Sequence, residues 1–343
     1  LHTLANWKSF GIKTYQAEDE IAGIGAALGA AFGGSLGVTA SSGPGIALKG
    51  EFLGLALITE LPLVVINVQR GGPSTGLPTK TEQSDLFQAM YGRNGDSPVP
   101  VIAATTPGDC YHTAYEACRI AVKYMTPVIM LTDGYLANGS EPWMIPNPDD
   151  LEDFNVEFAK ENDSDEEQHL PYKRDKKTLA RNWAIPGTKG LEHRIGGIEK
   201  QDITGKVNYD ADNHEHMTLT RAQKVANVMN EIPPIKIYGE KKGDLLILSW
   251  GSTHGACKTA TERLLKEKLA VGHVSLKWIN PLPSDLKKIL SNYKNVLIPE
   301  INTGQLSQII RAKYLVDAVG LNEIQGKPLG TSTIVEKSKE LIK

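Results

Sequence analysis

Strand-like and helix-like segments alternate along this 343-residue chain, which predicts an α/β fold whose parallel sheet is covered on both faces. Three observations carry that prediction. Short apolar runs such as residues 63–68 have the length and β-branched content of buried strands. Stretches of helical length separate them. The same alternation restarts after Pro233-Pro234, so the chain holds two such units in series.

The elements follow in order. Residues 1–7 read as the middle of a helix, so a preceding segment is expected to have been removed. Ile21, Ile24, Leu28 and Phe32 recur at helical spacing, and the Ala and Gly between them make a thin helix that neighbours can approach closely. Residues 36–42 read as a strand, Gly43-Pro44-Gly45 as a turn, 46–60 as one apolar helix and 63–68 as the next strand, completing a β-α-β unit. Beyond a glycine-rich loop come a short helix at 82–91, a strand at 99–104, a long helix at 107–124 and a strand at 128–131 that runs out at Asp133. From Asn147 the character changes. An acidic run (Asp149, Glu152, Asp153, Glu161, Asp163, Asp165, Glu166, Glu167) reads as a solvated face. The region from 172 to about 217 shows no clear period, so an irregular arm at about 147–232 is expected to wrap a first domain of residues 1–232. A second domain, 233–343, begins with a strand at 245–250 and a helix at 254–269, then continues as strand (274–278), helix (285–293) and strand (296–299).

Composition excludes several classes of function. A formal charge of −3 with no basic block argues against nucleic acid or an anionic membrane as the main partner. Cys110, Cys118 and Cys257 are too dispersed to form a disulfide framework or the ligand set of zinc or an iron–sulfur cluster. His214-Glu215-His216 lacks a third ligand at recognisable spacing and reads as an exposed pair, so no metal site is assigned. No apolar run reaches membrane-spanning length and the first residues lack the order of a signal peptide, which gives a cytoplasmic expectation.

The segment Arg70-Gly71-Gly72-Pro73-Ser74-Thr75-Gly76-Leu77-Pro78-Thr79 cannot be ordinary secondary structure. It starts at the carboxyl end of a strand, where open α/β sheets place ligands. Its chemistry suits a small anion, because glycines admit close backbone approach, Ser74, Thr75 and Thr79 add hydroxyls, and Arg70 offers a planar fork for a carboxylate. A solvated connection with a surface arginine is the plainer alternative.

Several blocks together resemble a known family. They are Tyr15-Gln16-Ala17-Glu18-Asp19-Glu20-Ile21-Ala22-Gly23-Ile24-Gly25-Ala26-Ala27, Thr39-Ala40-Ser41-Ser42-Gly43-Pro44-Gly45, the Arg70 loop, Leu131-Thr132-Asp133, Trp183-Ala184-Ile185-Pro186-Gly187, Gly190-Leu191-Glu192-His193 and Pro299-Glu300-Ile301-Asn302-Thr303-Gly304-Gln305-Leu306. In order and spacing they resemble the alpha subunit of 2-oxoacid:ferredoxin oxidoreductases, with 2-oxoglutarate:ferredoxin oxidoreductase the nearest likeness.

The resemblance implies a thiamine diphosphate pyrimidine-binding-type parallel sheet domain followed by a transketolase C-terminal-like α/β domain. It implies conversion of a 2-oxoacid and coenzyme A to acyl-CoA, CO2 and reduced ferredoxin. A beta subunit is implied to carry the diphosphate and magnesium site and the iron–sulfur cluster; this sequence contains neither a Gly-Asp-Gly motif nor a cysteine cluster. Further copies of the chain are expected in the assembly. Glu20 matches the glutamate that hydrogen-bonds the aminopyrimidine ring and favours the tautomer that activates the cofactor, although an acid beside Glu18 and Asp19 also suits a helix N-terminus. For that role Glu20 should lie in an apolar pocket at a subunit contact. Ser41, Ser42 and Gly43 match the pyrimidine cleft, and Arg70 and Thr79 match positions that contact the oxoacid carboxylate. Related alpha subunits carry an upstream domain and a Tyr-Pro-Ile-Thr-Pro segment that are not within this sequence. The alternatives are a non-catalytic assembly module and a ferredoxin-independent thiamine enzyme subunit.

Overall fold

A computed structural model describes residues 2–154, 156–160 and 169–343. Its first sheet is built by helix and strand in turn: α1 Glu20–Phe32, β1 Gly37–Ser41, α2 Gly43–Leu48, α3 Gly50–Thr59, β2 Leu63–Gln69, α4 Leu86–Tyr91, β3 Val101–Ala103, α5 Asp109–Tyr124, β4 Pro127–Asp133 and α6 Gly134–Asn138. Asp19 caps α1 by accepting from Ala22 N at 2.8 Å. Ile24, Ala27, Leu28 and Ala31 form its buried stripe. All seven residues of β4 are buried, as a strand covered on both faces requires.

The expected helix over 46–60 is two helices broken at Lys49. Lys49 is the only charged residue from 46 to 50, and it is buried with its Nζ donating to Glu20 O at 2.8 Å. The residues expected as a middle of a helix at the chain start form two short 3-10 turns, Leu4–Asn6 and Lys8–Phe10; Leu1 lies outside the described residues.

The arm is irregular up to Asp210, stitched by isolated bridges such as Phe158 with Trp183 and Tyr172 with Ile203. A 17-residue helix, α7 Ala211–Asn227, then replaces the expected aperiodic stretch. Its buried residues are Met217, Arg221, Lys224 and Val225, a helical stripe in which two of four members are basic, so an apolar pattern could not reveal it. The basic members find carboxylates. Arg221 pairs with Glu199 at 3.0 Å, and Lys224 reaches Glu60. Glu60, in the left-handed position that ends α3, also takes Arg174 through both oxygens at 2.5 and 2.6 Å. Of the acidic run, Glu161, Asp163, Asp165, Glu166 and Glu167 lie outside the described residues.

The second sheet comprises β5 Tyr238–Gly239, β6 Gly243–Trp250, β7 Val271–Leu276, β9 Tyr293–Glu300 and β10 Ala318–Asn322, ordered β10-β9-β6-β7-β5, with helices α8 His254–Lys266, α9 Leu286–Leu290, α10 Gln305–Tyr314 and α11 Thr331–Ile342. The expected strand at 274–278 divides. β7 stays in this sheet, while β8 Trp278–Asn280 crosses to the first sheet and pairs antiparallel with β3, giving the order β1-β2-β4-β3-β8.

Gln83 fastens the two sheets with every polar group it has. Its Nε2 donates to Trp250 O at 2.7 Å, its Oε1 accepts from Ile301 N at 3.2 Å, its N donates to Ile301 O at 3.1 Å and its O accepts from Asn302 Nδ2 at 2.8 Å. Glu300, fully buried, ties the same corner by accepting from Trp250 Nε1, Asn302 Nδ2, Leu306 N and Ser307 N. With the Gln305 Nε2 bond to Ser84 O at 2.8 Å, these contacts hold residues 83 and 84 out of a helix, and the helix expected from 82 starts at Leu86. Gln83→Leu strands the buried Ile301 N–H, while Trp250 O keeps the Thr253 hydroxyl at 2.8 Å, and should lower stability by about 1–3 kcal/mol in urea unfolding.

Candidate functional site

Parallel pairing brings the strand ends into line. Ser41 stands opposite Asn67, Asn67 opposite Leu131 and Gln69 opposite Asp133, so one edge of the first sheet gathers their polar side chains. Because α1 leads into β1 and runs back against it, the Glu20 end of α1 arrives at this same edge. Glu20 is half-buried, and its side chain has no hydrogen-bond partner among the described residues. A Cβ on Gly45 would collide with Ser41 and lie 2.8 Å from Glu20 Cγ, so only glycine leaves room there.

Gly43 borders the next group, since a Cβ placed on it would stand 2.8 Å from Asp85 Oδ2. Asp85 accepts from Asn67 Nδ2 at 3.0 Å, and its own N–H donates to Gln69 Oε1 at 3.1 Å. Burial pushes the Asp85 carboxyl up; the Asn67 bond opposes this, Glu82 adds to it and Arg70 opposes it by its charge. Arg70 is thus within electrostatic reach of Asp85. Its Nε is buried without a partner, and no hydrogen bond or ion pair engages its guanidinium among the described residues. An orphaned buried N–H on an arginine is an unmet demand for an acceptor.

The structure therefore brings Glu20, Ser41 and Gly43 together and connects them through Asp85 to Arg70. Ser42 begins α2 with extended backbone and makes no side-chain cap. Thr79 stands exposed on the loop, and no hydrogen bond among the described residues joins it to the others. The loop closes on itself through Gly71 N to Lys80 O at 2.9 Å and Leu77 N to Gly71 O at 2.8 Å. Gly326, from the second sheet's side, packs on Lys80 and Leu77 of that loop.

Sequence reasoning missed Lys49, Asn67, Gln69 and Asp85. A lone lysine inside an apolar helix was the available signal for Lys49, and desolvation pulls its ammonium down while Glu20 and Asp19 oppose that. Asn67 and Gln69 lay inside an apolar strand as buried polar residues, which need partners. His214 and His216 are exposed on α7, each facing one carboxylate, Glu199 at 2.8 Å and Asp202 at 3.1 Å.

The surface beside Glu20 is apolar. Ile21 is 44 % exposed and Leu48 52 % exposed, with Ala22, Ala26 and Ala30 of α1 and Val38 of β1 also uncovered. Uncovered apolar side chains of this kind suit a contact with another chain.

Residues 1–212 match the family model of the thiamine diphosphate-binding domain of pyruvate flavodoxin/ferredoxin oxidoreductase, and residues 243–328 match core domain II of pyruvate:ferredoxin oxidoreductase. Fold and family models thus place this α/β chain in the class of subunits of thiamine diphosphate-dependent oxidoreductases. The chain is 52 % identical to the 2-oxoglutarate oxidoreductase subunit KorA of Mycobacterium tuberculosis, over 95 % of this chain and 49 % of the relative. It is 32 % identical to the 2-oxoglutarate synthase subunit KorA of Archaeoglobus fulgidus, over 87 % and 77 %. A solved structure of 2-oxoglutarate:ferredoxin oxidoreductase from Magnetococcus marinus with 2-oxoglutarate, coenzyme A and succinyl-CoA bound superposes with a TM-score of 0.93 at 37 % identity, covering all of this chain and 59 % of that one. The chain belongs to the 2-oxoacid:ferredoxin oxidoreductase family, on the alpha-subunit side. It spans about half the length of the mycobacterial relative.

Proposed function

We propose that this chain supplies half of the active site of a 2-oxoglutarate:ferredoxin oxidoreductase, which converts 2-oxoglutarate and coenzyme A to succinyl-CoA, CO2 and reduced ferredoxin. The observation that carries the reading is the edge itself: an acid and an arginine N–H, both without a hydrogen-bond partner among the described residues, stand at one end of the first sheet beside uncovered apolar side chains. The names of the similar proteins support 2-oxoglutarate as the substrate.

The residues present fit thiamine diphosphate. Gly45 lets Ser41 and Glu20 come close together and Gly43 lets Asp85 approach, so polar groups converge on one rim, where Glu20 offers a carboxyl to a ring nitrogen. When bound, the cofactor supplies a nucleophilic carbon and a sink for the electrons released with CO2. Glu20 then holds the proton shared with the aminopyrimidine, in a site that a partner chain dries by covering Ile21 and Leu48. Ser41, Ser42 and Gly43 line the cleft for the ring. Arg70 grips the oxoacid carboxylate by a bidentate pair, and Thr79 adds a hydroxyl from the loop. The rigid mount of that loop on the second sheet, through Gln83 and Gly326, keeps the guanidinium in register.

A beta subunit is the partner in this reading, and it carries magnesium, the diphosphate site and the iron–sulfur cluster. The dispersion of Cys110, Cys118 and Cys257 supports placing the cluster elsewhere. Among the described residues no helix is long and apolar enough to cross a membrane, in keeping with a cytoplasmic complex.

The test is to purify the chain with its cysteine-bearing partner and follow coenzyme A-dependent viologen reduction with 2-oxoglutarate. Activity is expected. Arg70→Lys should raise KM for the oxoacid roughly 30-fold or more, since a point charge cannot reproduce the fork. An assembled, cofactor-loaded complex that reduces no viologen with any 2-oxoacid contradicts the reading.

A further inference from the structure

A cleft of about 540 Å³ opens between the linker that follows α7 and the β7 side of the second sheet, a volume typical of small-molecule sites. Ile235 and Ile237 line it from the linker, and Trp278 and Pro283 from β8 and the turn beyond. These walls are apolar, and Trp278 supplies a planar one.

Its polar groups are few and specific. His273 and Ser275 lie two apart on β7 and so share a face, while His254 opens α8 with its ring centroid 5.5 Å from that of His273. Ser249 Oγ occupies His273 Nε2 at 2.8 Å. Ser249 lies beneath the cleft and does not line it, so this serine–histidine pair braces the floor from below. His254 Nδ1 and Ser275 Oγ differ from it: both atoms are buried and neither has a hydrogen-bond partner among the described residues. Buried polar side-chain atoms are nearly always paired, so two orphans in one cleft mark a place for a ligand's polar group.

Charge at the rim sets the sign of that ligand. Lys236 is exposed, Lys258 lies over the Tyr238 ring at 5.6 Å, and Lys277 is held by Asp109 at 2.6 Å. Two of the three amines therefore remain without a carboxylate partner among the described residues, which favours an anion. Burial pulls both imidazoles below the usual histidine range, so the floor contributes neutral hydrogen-bonding atoms and the amines contribute the charge.

We infer that this cleft is a second binding site, separate from the Glu20 edge, for a small flat organic anion of the aryl carboxylate type. The ring lies along Ile235, Ile237 and Trp278, and the carboxylate is received by Ser275, His254 and the Lys258 amine.

The probe pair is indole-3-acetate and its neutral amide, indole-3-acetamide, titrated into the full chain by calorimetry with saturation-transfer NMR as a second readout. The acid should bind saturably and the amide about fivefold more weakly or worse, the effect of one charge-assisted contact. Ser275→Ala should weaken the acid about fivefold while the free chain melts no lower than the parent, because an unpaired buried hydroxyl contributes nothing to stability. Lys258→Ala, a change on the surface, should weaken the acid and leave the amide unchanged. Absence of saturable binding by the acid at millimolar concentration, equal affinity for acid and amide, or binding unaffected by both substitutions overturns the site.

Discussion

Glu20→Gln is expected to reduce 2-oxoglutarate-dependent viologen reduction by the assembled complex by about 10²- to 10⁴-fold, the range for loss of a positioned proton-transfer group. The amide keeps the size and the ability to hydrogen-bond, but it cannot exchange a proton at neutral pH. Stability should hardly move. Asp19, not Glu20, caps α1, and the Glu20 side chain engages no hydrogen-bond partner among the described residues. The melting midpoint should therefore correspond to a change within about 0.5 kcal/mol. Glu18→Gln is the control, since Glu18 is exposed two residues earlier and should retain near-parent activity. Equal losses in both variants would show that acidity at the helix start is structural, with no catalytic role.

The largest stability effect belongs far from that edge. Glu60 is almost wholly buried between Arg174 and Lys224, and Tyr172 beside them is faced by Arg174, Arg181 and Lys200, each 5.7 Å from its ring centre. Burial pushes the Glu60 carboxyl up, but Lys224 and Arg174 overcome it and hold the group at about 2. Burial also pulls the Lys224 ammonium down to about 8 while Glu60 opposes it, so the amine stays mostly protonated at neutral pH. The Glu60 direction governs, because its carboxylate also receives the Arg174 guanidinium, which stays charged at every relevant pH. Glu60→Gln leaves the buried Lys224 ammonium without a counter-charge among the described residues and Arg174 with only Asp202 at 3.7 Å, and should cost about 3–5 kcal/mol in denaturant unfolding.

The sign with pH follows. A carboxyl whose folded pKa lies below its unfolded value adds stability that is fully present above the unfolded value, ordinarily 4.5, and is lost as pH falls toward about 2. The parent should lose about 3 kcal/mol across that window through this group. Glu60→Gln should lose correspondingly less there, which urea unfolding at pH 5 and below would measure. A parallel acid limb in both proteins would mean that Glu60 is not held ionised by its neighbours.

What could be read from the sequence was whatever depended on local pattern. Strands such as β2 and β4 are apolar runs buried on both faces, so their composition announces them. The Arg70 loop was legible because glycine and proline exclude helix and strand. Glu20 was legible only through its family resemblance, since an acid at a helix start has an ordinary electrostatic explanation. Hidden features all depend on long-range pairing. Helix α7 buries Arg221 and Lys224 because Glu199 and Glu60 arrive from elsewhere in the chain. Strand β8 leaves its own unit for β3, a choice its three residues do not encode. Residues Pro299 to Leu306 matched the family as a motif, and the structure gives them a mechanical role, since Asn302, itself held by Glu300, and Gln305 lock the segment after the arginine loop.

The most direct test is a structure of this chain assembled with its partner and thiamine diphosphate. The account predicts the aminopyrimidine ring within hydrogen-bonding distance of the Glu20 carboxyl, flanked by Gly43 and Ser41, with Arg70 opening onto the same cavity. A cofactor bound away from the first-sheet edge, with Glu20 still facing solvent in the assembled complex, would contradict it.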